Sequence, residues 1–191
     1  MSQSAMIYGA ALTFDAGTER EVRRLWQSTV DAGMPSVLPQ LDYEPHMTLA
    51  LAETLDLPAL RADVLPWLAE QRPLAVQFSA LGVFLGDGDA KAAAVITLEP
   101  VVNRALLDLH ERLYALILRN STNIPPYYAP GAWSPHVTVG FRVPPDQIGR
   151  QVEVLRSANP PREGKITGLM FGGFRITGGS RLEMMKFGGT E

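Results

Sequence analysis

The chain has 191 residues, 46% of them hydrophobic and 19% charged, with no cysteine. That length fits one domain or two tightly fused lobes around a substantial core, and the missing cysteines exclude disulfides, thiol catalysis and thiolate metal sites. Seventeen Lys and Arg against twenty Asp and Glu, a net charge of −3, leave no basic excess for gripping long nucleic acid by its phosphates, although a local cluster of donors would suffice for a short nucleotide.

The first apolar stretch runs from Met6 to Phe14. No basic segment precedes it and Tyr8 and Gly9 interrupt it, so it reads as a strand rather than a secretory leader. No run approaches the roughly 20 apolar residues of a membrane span. A soluble, cytoplasmic and monomeric protein is the expectation.

Asp15 caps a helix in which Val22, Leu25, Trp26 and Val30 recur at helical spacing, and Gly33, Pro35 and Pro39 end it. A strand at His46 follows. Next come a helix over Leu57 to Gln71, with Pro58 at its start, and a strand over Leu74 to Leu85. After the turn signal Gly86-Asp87-Gly88-Asp89 the order begins again. A strand spans Lys91 to Leu98, a helix Val101 to Arg119, a strand begins at His136, a helix runs from about Pro145 to Ser157, and two strands cover Lys165 to Gly172 and Arg181 to Phe187.

The repetition extends to sequence. His46-Met47-Thr48-Leu49 and His136-Val137-Thr138-Val139 share the pattern His-apolar-Thr-apolar, and each follows a proline, Pro45 or Pro135. The histidines are 136 minus 46, or 90, residues apart, and the similar strings Ala80 to Phe84 and Gly168 to Gly172 are offset by 88. These features predict an α+β fold made by internal duplication: a single bilobal domain, residues 1–191, whose repeats span approximately 6–85 and 91–187. If the lobes pair about a pseudo-twofold axis, the two motif strands face each other across one central cleft.

On a strand, residues i and i+2 share a face, so each motif presents its His and Thr together and buries its apolar residues. Paired imidazoles suit general acid-base catalysis, one neutral and taking a proton, the other charged and giving one. Hydroxyls of Thr48 and Thr138 are placed to stabilise charge on phosphate oxygens. The third histidine, His110, lies in a helix without a Thr two residues on and reads as a surface or packing residue. A metal centre has little support, since each motif supplies one histidine, though Asp42 and Glu44 lie close to His46 in sequence.

Around the second motif, Tyr127, Tyr128 and Trp133 could stack on a base or merely pin a proline-rich loop to the surface. Arg142 falls by alternation on the side of His136, Thr138 and Gly140, toward the cleft. Gly172-Gly173 and Gly178-Gly179 lack a phosphate-loop pattern and read as turns between the last strands.

The tandem motifs, their separation and the duplicated element order resemble the 2H phosphoesterase superfamily, which includes cyclic nucleotide phosphodiesterases and proteins named 2′-5′ RNA ligases. The resemblance spans roughly residues 6 to 187. It implies a bilobal fold with a central cleft and a hydrolase that needs no metal or other cofactor. Its substrates would be 2′,3′-cyclic phosphates or related cyclic and 2′-5′ phosphodiesters of small nucleotides or RNA termini. His46 and His136 would then be the acid-base pair and Thr48 and Thr138 would hold the phosphate. The alternative is a nucleotide- or RNA-binding sensor that uses the same cleft without turnover.

Overall fold

The computed structural model describes residues 7–41, 44–84, 93–174 and 181–189. The expected turn at Gly86 to Asp89, the pair Gly178-Gly179 and Asp42 lie outside them. In chain order the elements are β1 (Ile7–Phe14), α1 (Ala16–Asp31), β2 (His46–Ala52), β3 (Thr54–Leu55), α2 (Leu57–Glu70), β4 (Leu74–Phe84), β5 (Ala94–Pro100), α3 (Arg104–Arg119), β6 (Ser121–Thr122), β7 (Val137–Val143), α4 (Ile148–Ser157), β8 (Glu163–Phe174) and β9 (Arg181–Lys186).

Local chemistry sets the helix starts. The carboxylate of Asp15 accepts from the backbone N–H of Thr18 at 2.9 Å, Asp56 from Ala59 at 3.0 Å, and the Asn103 amide oxygen from Leu106 at 2.9 Å, each satisfying a donor that the first turn leaves unpaired. Asn103 is why α3 begins three residues after Val101: as the cap it has extended backbone and the helix starts at Arg104. The predicted helix at Pro145 begins as a turn of 3-10 helix over Pro145–Gln147 and becomes α-helical at Ile148.

Seven strands form one antiparallel sheet in the order β1-β2-β7-β5-β4-β8-β9, and β8 pairs with β1 as well, so six of the strands close a circuit. The repeats are interlocked within it. β4, from the first repeat, is bonded to β5 of the second, and β8, from the second, to β1 of the first. The two-residue strands β3 and β6, too short to leave a pattern in the sequence, pair with each other as a separate clip between repeats. Gly172 and Gly173 lie inside β8, opposite Gly9 and Tyr8, and not in a turn, because their neighbours on both sides continue the ladder.

Helices cover one face of the sheet. α1 packs with α4 and α2 with α3, equivalent contacts under the duplication. Leu12, Leu25, Met47, Leu49, Leu60, Ile96, Leu113, Val137, Val139, Leu155, Ile166 and Phe171 are buried in the resulting core. His110 belongs to this core rather than the surface: it is 1% exposed and its ring stacks on Trp133, with centroids 4.0 Å apart and planes 3° from parallel.

Two stability predictions follow from the packing. Met47→Ala, at a side chain wholly removed from solvent, should cost about 2–5 kcal/mol in urea unfolding. Burial holds the pKa of all three histidines, His46, His110 and His136, below the ordinary value. The unfolded chain therefore binds more protons than the native state as pH falls through about 6.5, and stability should drop between about pH 7.5 and about pH 5.5. His110→Phe, which keeps the stack on Trp133 but cannot titrate, should make the urea midpoint less dependent on pH.

Candidate active site

The registered pair between β2 and β7 is Met47 opposite Val137, both fully buried on the helix side. Continuing this antiparallel register by one residue either way sets His46 across from Thr138 and Thr48 across from His136, all four on the opposite face and all half-buried. Residues directly opposite on neighbouring strands are closer than i and i+2 along one strand. His136 sits just before β7 begins rather than within it.

Both rings are held in the same way. His46 Nδ1 lies 2.8 Å from the carbonyl oxygen of Glu44, and His136 Nδ1 lies 2.8 Å from that of Ser134, each two residues back. A carbonyl oxygen can only accept, so Nδ1 carries the hydrogen and Nε2 is the nitrogen at which each ring gains or loses a proton. The strand backbones are fixed as well. Trp133 Nε1 donates to the Thr48 carbonyl and Trp26 Nε1 to the Thr138 carbonyl, both at 2.9 Å.

At the last residue of each motif the strand bulges. Ala10 and Ala11 of β1 face Ala50 and Thr48, which leaves Leu49 as an extra residue, and Ile96 and Thr97 of β5 face Gly140 and Thr138, which leaves Val139. The bulges sit 90 residues apart, at the same place in both motifs. Each turns the following residue toward the helices: Ala50 and Gly140 are buried, and a Cβ on Gly140 would lie 2.9 Å from Gln151 Nε2 of α4.

Burial is the main cause lowering the pKa of both catalytic candidates. The Glu44 carbonyl counteracts it at His46, while charge on His136 lowers His46 further. At His136 the Ser134 carbonyl and then the Glu99 carboxylate counteract it. Charge on His136 opposes a proton on His46, so the two rings disfavour being charged together.

Sequence reasoning missed four residues on this face. Thr13 of β1 is directly opposite His46; it is 2% exposed and its hydroxyl has no hydrogen-bond partner among the described residues. Thr97 is opposite Thr138, Glu99 follows at the position that faces His136, and Phe84 of β4 meets the His136 ring edge-on with centroids 4.6 Å apart. The polar pair Thr97 and Glu99, two residues apart in the mainly apolar strand Ala94–Pro100, was the available signal.

The other expected residues have these places. Trp133 does not line the face, because its ring is packed between His110 and the back of β2. Arg142 is exposed with φ 55° and its guanidinium 5.6 Å from the Phe141 ring centroid; a second irregularity, with Ala94 and Ile96 opposite Val143 and Gly140, breaks the alternation used to place it. Tyr127 is 60% exposed and stands against Tyr128, centroids 4.7 Å apart, while burial raises the Tyr128 hydroxyl pKa. Glu44 does not stand open to a metal, since its carboxylate pairs with Arg23, which also binds Glu19 at 2.9 Å. Among the described residues no group of three or more His, Asp or Glu is gathered for a metal, and no helix is long and apolar enough to cross a membrane.

Comparison with known proteins matches the chain to a family. The model of the 2′-5′ RNA ligase superfamily matches residues 16–172. No curated protein matches the chain. Among solved structures, E. coli LigT in apo form is 18% identical with a TM-score of 0.53, over 97% of this chain and 96% of that one. Kluyveromyces marxianus Usb1 with uridine monophosphate is 8% identical with a TM-score of 0.50, over 96% of this chain and 99% of that one. Both likenesses are of fold. With two His-apolar-Thr-apolar motifs joined at the centre of one sheet and the family model covering most of its length, this chain belongs to the 2′-5′ RNA ligase superfamily, the 2H phosphoesterases.

Proposed function

We propose that the protein is a phosphodiesterase that hydrolyses 2′,3′-cyclic phosphates or related cyclic and 2′-5′ phosphodiester bonds of small nucleotides or RNA termini. One observation carries the reading: the Met47–Val137 pair brings two imidazoles and two hydroxyls onto one face, each imidazole with its Nδ1 held by a backbone carbonyl. A phosphate seated there meets hydroxyl donors from Thr48 and Thr138 where charge develops on its non-bridging oxygens. One Nε2 takes a proton from water as its oxygen attacks phosphorus, and the other gives a proton to the departing ribose oxygen. These steps need no metal, because both protons have a partner and the anionic charge has donors. The net charge of −3 favours a short substrate over a long polyanion. Since the Kluyveromyces marxianus protein was solved with uridine monophosphate, uridine 2′,3′-cyclic phosphate is the first substrate to try.

The test is hydrolysis by EDTA-treated protein of a panel of 2′,3′-cyclic nucleotides and 2′-5′ oligoadenylates. His46→Ala and His136→Ala should each lower kcat by about 10²- to 10⁴-fold. Thr48→Val and Thr138→Val, which keep shape and lose the hydroxyl, should lower it less. Activity indifferent to both histidine changes, or abolished by EDTA, would sink the proposal. The pH profile of kcat/KM should be bell-shaped, and because burial lowers both imidazole pKa values, its maximum should fall on the acid side of about pH 6.5.

A further inference from the structure

The duplication makes the two half-sites nearly equivalent, and one residue breaks the equivalence. β1 and β5 flank β2 and β7 in the same way. Beside His46 the flanking strand offers Thr13, a neutral hydroxyl; beside His136, in the register that pairs Thr97 with Thr138 and Leu98 with Val137, it offers Glu99. The carboxylate has room because position 82 is glycine: a Cβ there would lie 1.9 Å from Glu99 Oε1 and 2.7 Å from its Cδ. Thr97 Oγ1 donates to the same oxygen over a long 3.4 Å. The His136 ring leans over this strand to touch Phe84, two residues past Gly82.

We propose that Glu99 is a positioning residue that keeps the proton on His136, so that His136 protonates the leaving oxygen and His46 takes the proton from the attacking water. Among the described residues, the titratable groups facing His136 are Glu99 on β5 and His46 on β2; β4 contributes the uncharged Phe84 and the chain before β7 the Ser134 carbonyl. Glu99 favours the charged ring at His136, and that charge in turn opposes protonation of His46. Each group therefore pushes the pair toward the same one of its two singly protonated forms. In that form a water proton passes to His46 Nε2 while the water oxygen bonds to phosphorus. The bond from phosphorus to the leaving oxygen then breaks, and that oxygen takes the proton of His136 Nε2. Exchange with solvent restores both rings. The substrate accordingly enters with its leaving oxygen toward Phe84 and Glu99 and its face for attack toward Thr13.

This assignment rests on the phosphodiesterase reading, so its test includes a readout that needs no turnover. The three imidazoles can be followed by NMR through a pH titration of the substrate-free protein, assigned with His46→Gln, His110→Phe and His136→Gln. In Glu99→Gln the His136 resonances should titrate at lower pH than in the unaltered protein, and Gly82→Ala, which moves the carboxylate aside without removing it, should act in the same direction. In turnover, Glu99→Gln should bring the alkaline limb of kcat/KM to lower pH, with a loss on the order of tenfold at about pH 7.5 and much less at the optimum. Glu99→Asp should recover part of it. A His136 titration unchanged in both variants, or a larger response at His46, overturns the assignment; so does a loss in Glu99→Gln that is the same at every pH. If His136 responds as expected but no member of the substrate panel is hydrolysed, Glu99 keeps its place and the phosphodiesterase reading fails.

Discussion

The backbone pairing of Met47 with Val137 is the constraint on which the site depends. It joins the two repeats at the middle of a continuous sheet and sets the register that brings four polar side chains to one face. A slip of one residue would turn His and Thr of one strand into the core and expose its apolar residues. The full burial of Met47, Leu49, Val137 and Val139 on the helix side opposes that slip, so core packing is what specifies the arrangement of the polar face.

Around this centre the same devices occur twice with different materials. An indole N–H fixes the carbonyl of each motif threonine, yet Trp26 comes from a helix and Trp133 from the loop that leads into β7. Each histidine is oriented by the carbonyl two residues back. At His46 that carbonyl belongs to Glu44, whose side chain is tied to α1 through Arg23. Burial raises the pKa of Glu19 in this cluster, while hydrogen bonds from Glu19 and Arg23 lower that of Glu44. The duplicated backbone thus supplies near-symmetry, and side chains outside the motifs, Glu99 foremost, remove it.

Much of this was legible in the residues. The order of elements, the helix cap at Asp15, and the offset of 88 between the strings at Ala80 and Gly168 all have counterparts in the structure, where β4 and β8 occupy equivalent places. Alternation worked as far as Leu49 and Val139 and failed beyond them, because a bulge inserts one residue and reverses the faces without any local sign in an apolar run. That is why alternation does not carry to Arg142, and why Gly140 faces α4. Trp133 could not be told from a rim aromatic, since its burial depends on His110, distant in sequence but stacked upon it.

By itself the sequence determined that there are two motifs, that each places a histidine and a threonine on one face, and that they belong to a duplicated α+β chain of the 2H phosphoesterases. Periodicity and repetition are local properties and survive in a one-dimensional string. Tertiary structure alone decided which threonine lies across from which histidine, that β4 and β8 cross into the other repeat's strands, and that a carboxylate stands beside one imidazole and a hydroxyl beside the other. Those are relations between strands brought together by long-range pairing, and they are set by the register of hydrogen bonds and the volume of the core.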